Sequence, residues 1–114
     1  MKTLIVANWK MNPQTLTEAK QLFGSIKKRI KNIKGVEVVI CPPFVYLGAL
    51  CPSGALRVGG QNCFWEEGGA FTGEVSPKML KDLGVEYVIL GHSERRKYFG
   101  ETDEIINKKL KKIL

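Results

Sequence analysis

Apolar residues recur along the chain in two alternating patterns, short unbroken runs and longer stripes stepping by three and four. Leu4-Ile5-Val6-Ala7 is an uninterrupted run, the mark of a strand covered on both faces. Leu16, Ala19, Phe23, Ile26 and Ile30 then form one helical stripe, with Thr15 or Thr17 as N-cap and Gly35 as its end. Val36-Glu37-Val38-Val39-Ile40 reads as a second strand, stopped by Pro42-Pro43, and residues 44–50 as a short helix. Leu56-Arg57-Val58-Gly59-Gly60 makes a weaker third strand.

A long loop follows, with Gly68-Gly69 and Gly73 as its flexible points. Ser76-Pro77 reads as an N-cap followed by proline at the first helical position, and Met79, Leu80 and Leu83 form that helix's apolar face. Tyr87-Val88-Ile89-Leu90 is the fourth strand, passing into Gly91-His92-Ser93-Glu94. The last helix starts at Thr102, places Asp103 and Glu104 near its positive end, and runs through Ile106, Leu110 and Ile113. Short apolar strands alternating with amphipathic helices give a parallel α/β sheet. The pattern alone leaves open whether that sheet is a flat four-stranded one or part of a barrel.

The 114 residues fit one domain, residues 1–114, and the 44% hydrophobic fraction suffices in principle for a core. No apolar run reaches the roughly 18 residues of a membrane span, and none has the layout of a secretory signal. Cys41, Cys51 and Cys63 are an odd set without a Cys-x-x-Cys pair, and there is one histidine. A disulfide framework, a metal site and a cofactor are therefore not expected, and free thiols in a cytoplasmic protein are. The net charge of +7 fits a nucleic acid, a membrane surface or an anionic substrate. Much of it sits in Lys27, Lys28, Arg29, Lys31 and Lys34, and in Lys108, Lys109, Lys111 and Lys112, positions expected on solvated outer faces of helices.

Polar residues cluster just behind the strands. Ala7-Asn8-Trp9-Lys10-Met11-Asn12 follows the first, Cys41-Pro42-Pro43 the second, Gly60-Gln61-Asn62-Cys63 the third, and Gly91-His92-Ser93-Glu94-Arg95-Arg96 the fourth. A lysine directly behind a buried strand is costly without an anion, although a snorkelling stem also explains Lys10. His92 by itself also fits a structural histidine bonded to backbone. Together, in this order and at these separations, the segments resemble the triosephosphate isomerase family across essentially the whole chain.

That resemblance implies the first half of a TIM (βα)8 barrel, four parallel strands alternating with helices. It implies an isomerase of glycolysis and gluconeogenesis that interconverts dihydroxyacetone phosphate and glyceraldehyde 3-phosphate. Asn8 and Lys10 would bind the triose phosphate, and His92 would be the neutral electrophile that polarises its carbonyl. A helix opening at Ser93 would aim its first N–H groups at the imidazole and disfavour imidazolium. Glu94 would hold Lys10, and Ser93 would support from behind. The loop of residues 64–77 resembles the family's interface loop, with Phe71 beside the tip residue Thr72. Arg95 would pair with Glu101, or with Glu74 of a neighbouring copy.

A complete barrel of this type has about 250 residues. The family's glutamate base follows the sixth strand, and its phosphate-binding loops follow the seventh and eighth. The 114 residues hold none of these, so the chain alone is expected to be inactive, with substrate bound only after complementation. Strands one and four become open edges, which predicts a homo-oligomer joined through sheet edges and the 64–77 loop. The alternative function is a non-catalytic, self-assembling half-barrel scaffold. A nucleic-acid binder is disfavoured by the absence of an aromatic and basic platform.

Overall fold

The computed structural model describes residues 2–114. In chain order its elements are β1 (Thr3–Asn8), α1 (Leu16–Ile30), β2 (Val36–Cys41), α2 (Phe44–Leu47), β3 (Leu56–Gly60), α3 (Pro77–Asp82), β4 (Tyr87–Val88), α4 (Ser93–Phe99) and α5 (Asp103–Ile113). The four strands are parallel and lie in the order β1-β2-β3-β4, a curled sheet that forms half of a (βα)8 barrel. The alternation of strand and helix periods sets this outcome.

Helix starts follow from side-chain caps. Thr15 Oγ1 accepts the Glu18 N–H at 3.2 Å, Ser76 Oγ the Met79 N–H at 3.1 Å, and Thr102 Oγ1 the Ile105 N–H at 3.3 Å. α1 ends at Ile30, before Gly35, whose left-handed backbone instead turns the chain into β2.

The core lies between the sheet and its helices. Ala19 and Phe23 of α1, Ile40 of β2, Tyr46 and Leu47 of α2, Leu56 and Val58 of β3, and Leu80 of α3 are its buried centre. A Cβ on Gly60 would meet Leu80, so that residue faces this layer, while Gly59 faces the opposite, concave side. There a Cβ on Gly59 would lie 2.7 Å from Cys41 Sγ, 2.9 Å from Val39 Cγ1 and 3.1 Å from the Tyr87 carbonyl. We predict that Gly59→Ala destabilises the chain by about 1–3 kcal/mol, the usual cost of overpacking, and lowers the urea midpoint accordingly. An unchanged midpoint would show that β2 and β3 separate more easily than this packing implies.

Three expectations from periodicity need correction. β1 is not covered on both faces: Leu4, Ile5 and Val6 are each nearly half exposed, because β1 is an edge and no layer lies over its inner side. On the concave side the central strand is closed instead, with Val39 and Cys41 fully buried by their strand neighbours. On α3 only Leu80 is buried, while Met79 and Leu83 are about half exposed, since a helix of six residues presents a single position to the sheet. β4 is also shorter than its apolar run, because only Gly59 and Gly60 pair with it.

Below the closed layer, the concave side carries charge. Arg57 Nη1 lies 3.4 Å from Glu86, its Nε 3.9 Å from Glu37, and the Tyr87 hydroxyl donates to Glu37 at 3.3 Å. The radius of gyration, 14.6 Å, exceeds the roughly 13 Å of a compact globule of this length, as an open half-ring requires.

Candidate active site

The C-terminal ends of β1 and β4 bring the candidate residues together. Asn8 ends β1, and Lys10, two residues further, has the left-handed backbone angle φ 58°. A residue with a Cβ pays about 1–2 kcal/mol for that region, so the turn needs support. Asn8 Oδ1 accepts the Lys10 N–H at 2.8 Å, and the Gln61 amide donates to the Lys10 carbonyl at 2.7 Å and the Cys41 carbonyl at 2.8 Å. One side chain at the end of β3 thus ties together the ends of β1 and β2. The Tyr46 hydroxyl adds a bond to the Pro13 carbonyl at 2.9 Å. Because Asn8 Oδ1 is engaged, its Nδ2 is the atom left to donate to a ligand.

Gly91, with φ 67°, leads from β4 into α4, and a Cβ there would lie 2.9 Å from Ile106 of α5. His92 is the N-cap of α4: its Nδ1 accepts the Glu94 N–H at 3.1 Å. An accepting Nδ1 assigns the ring proton to Nε2, which makes Nε2 a hydrogen-bond donor. Glu94 turns its carboxylate to Lys10, with Oε1 2.8 Å from Nζ. That lysine hydrogen bond holds the Glu94 carboxyl below the usual range, against a smaller opposing effect of desolvation. Glu94 therefore meets both partners, Lys10 through its carboxylate and the His92 imidazole through its backbone N–H. At the end of β2, burial pushes the Cys41 thiol up to about 11, which leaves it no nucleophile at neutral pH.

Behind α4 lies a buried ionic cluster that periodicity misreads. Lys109, expected on a solvated face, is only 3% exposed; Nζ sits 2.8 Å from Glu101 Oε2 and 2.9 Å from Asn62 Oδ1. The Arg95 guanidinium binds the same Glu101 oxygen, placing that pair within one chain. Glu101 Oε1 has no partner among the described residues. Burial would raise the Glu101 carboxyl, but the Arg95 and Lys109 hydrogen bonds and charges outweigh it and hold the group below its ordinary range. Its stabilising effect is thus complete above the unfolded value of about 4.3 and is lost as pH falls through the lower folded value. We predict a melting temperature that drops below about pH 4.5, and a loss of about 3 kcal/mol at pH 7 in Glu101→Gln, which strands Lys109. An acid profile unchanged by that substitution would exclude the cluster as the cause.

The 64–77 loop closes on itself through the Phe64 N–H to the Val75 carbonyl at 2.8 Å. Phe71 is 42% exposed and rests on the Phe64 ring, with centroids 4.7 Å apart. Thr72 and Glu74 lie exposed beside it. Among the described residues no helix is long and apolar enough to cross a membrane, and no group of three His, Cys, Asp or Glu is placed to hold a metal.

Half a (βα)8 ring with polar side chains gathered behind its strands has the layout of a barrel unit built for chemistry at that end. The family model described as triosephosphate isomerase matches residues 3–114, and the chain belongs to that family. Among its relatives, a triosephosphate isomerase of Clostridium botulinum is 53% identical over 116 residues, covering 98% of this chain and 46% of the relative. One of Alkaliphilus oremlandii is 54% identical over 117 residues, and one of Dehalococcoides mccartyi 49% over 118, each again covered to 46% of its length. The chain thus spans about half the length of the curated relatives it matches.

Proposed function

We propose that this chain supplies the substrate-holding and electrophilic half of a triose phosphate isomerase site. The observation that carries the reading is the bridge at Glu94, whose carboxylate holds Lys10 while its backbone N–H bonds His92, so that one residue joins two strand ends. Lys10 Nζ and Asn8 Nδ2 hold the phosphorylated triose, the ammonium adding positive charge near the reacting oxygens. His92 donates from Nε2 to the carbonyl oxygen as an enediolate forms, so negative charge developing on that oxygen meets a fixed donor. Glu94 positions Lys10, Ser93 supports the helix start, and Arg95 with Glu101 anchors α4 from behind. The group that removes the carbon-bound proton is not among these residues, and we assign it to a segment outside positions 1–114.

A second reading rests on a different observation, the open edges of β1 and β4. In it the chain assembles with copies of itself through those edges and the Phe71-Thr72 loop, without catalysis. Recovery of isomerase activity with a complementary half, dependent on Lys10 and His92, separates the two.

A further inference from the structure

At the pole opposite Lys10 and His92, the structure carries charge that the isomerase reading does not use. Lys27, Lys28, Arg29, Lys31 and Lys34 lie there, and with Lys20, nearer the start of α1, they fall between Ala19 and Val36 with no acidic residue among them. None of the six has an ion-pair partner among the described residues, nor have Lys78, Lys81, Lys97, Lys108 and Lys111, whereas Lys10, Arg57, Arg95, Arg96, Lys109 and Lys112 all do. A cation in the last turn answers the negative end of a helix, but that effect fades within one turn and does not account for six.

These cations meet a cavity. Lys27, Lys28, Ile30 and Lys31 at the end of α1, with Ser53, Gly54 and Ala55 ahead of β3, enclose about 350 Å³, and no acidic side chain lines it. The facing turn is held in shape. Ser53 and Leu56 exchange two backbone hydrogen bonds at 2.9 and 3.0 Å, and the Ala55 carbonyl accepts from Val38 at 2.8 Å. The Gly54 and Ala55 N–H groups have no acceptor among the described residues, which leaves two backbone donors on the lip of a cationic cavity. Unused N–H donors beside clustered ammonium groups are the elements of an anion site.

We propose that this cavity binds a compact polyanion, a short chain of phosphate groups or a small ligand bearing several. Its volume is at the low end for small-molecule sites, and three of the residues that line it are lysines whose apolar stems form much of the wall while their ammonium groups supply its charge. No aromatic side chain lines it, so it offers nothing for a base to stack on. Charge density is what it recognises.

The test is calorimetric titration of sodium tripolyphosphate into the 114-residue chain at 50 mM salt, beside orthophosphate and a duplex oligonucleotide. Tripolyphosphate is expected to bind once per chain with a Kd on the order of 10 µM, and orthophosphate more weakly by about tenfold or more. The triple substitution Lys27→Gln, Lys28→Gln, Lys31→Gln should weaken tripolyphosphate by about tenfold or more. Ser53→Asp, which places a carboxylate on the lip and leaves the helix intact, should act the same way. Lys10→Gln and the pair Lys108→Gln, Lys111→Gln should leave the affinity unchanged, which also keeps the outcome separate from the isomerase reading. Equal losses in all variants, several ions per chain, or duplex binding that outcompetes tripolyphosphate would overturn the proposal in favour of unselective charge.

Discussion

At low micromolar concentration the 114-residue chain is expected to sediment as a dimer or a multiple of one, not as a 12.8 kDa monomer. β1 presents six residues of edge whose outward backbone groups meet no strand, and Leu4, Ile5 and Val6 stand nearly half exposed along it. An edge of that kind is a template for pairing. Around a two-fold axis, β1 of one copy lies beside β4 of the other and a ring of eight strands closes. Each 100 Å² of apolar surface covered contributes about 2.5 kcal/mol, so a modest inner face suffices to hold it. The +7 charge of each copy opposes the association, and added salt should therefore strengthen it. Sedimentation equilibrium at two salt concentrations decides the matter. A single monomeric species with a cooperative unfolding transition would refute closure by self-pairing.

The second large effect is on catalysis. The isolated chain is expected to show no detectable interconversion of dihydroxyacetone phosphate and glyceraldehyde 3-phosphate, because the carboxylate in the Lys10–His92 cluster, Glu94, is tied to Lys10 and its basicity lowered by that contact. A positioned base contributes about 10²- to 10⁴-fold, and the water exclusion of a closed site is lost as well. Co-refolding with the complementary half of the Clostridium botulinum relative should restore turnover. In the restored complex His92→Gln should lower kcat by about a hundredfold or more, and Lys10→Ala should lower kcat/KM by at least as much. Turnover by rigorously purified chain alone, abolished by His92→Gln, would show that another carboxylate acts as base. A stoichiometric complex with no activity would instead favour the scaffold reading.

Fold and site differ in how far the sequence reveals them. The apolar runs and stripes, with Thr15, Ser76 and Thr102 as caps, are local signals, and the elements begin where those signals put them, although α2 and β4 stop short of residues 50 and 90. Exposure is not local. Leu4 and Ile5 read as buried because the run does not record how many neighbours its strand has. Lys109 reads as solvated because its partners, Asn62 and Glu101, are brought to it only by folding. The small glycine pair at Gly59-Gly60 signals a close approach of strands, though not which strand comes near. Gln61 is likewise invisible as a clamp, since its two acceptors are backbone carbonyls of other strands, and carbonyls leave no mark in a sequence.

The contact between Lys10 and Glu94 also has a geometric meaning. It joins the turn after the first strand to the helix after the last, so it is a chord drawn across the arc of the sheet. Both partners are well exposed, and such a pair is worth at most about 1 kcal/mol, too little to bend four strands. The arc is imposed by strand twist and by helices packed on its outer side, and the chord closes only because the arc already has the right radius. Its length is therefore a gauge of curvature. Any piece that completes the circle, a second copy or a different half, has to meet the radius that this chord records.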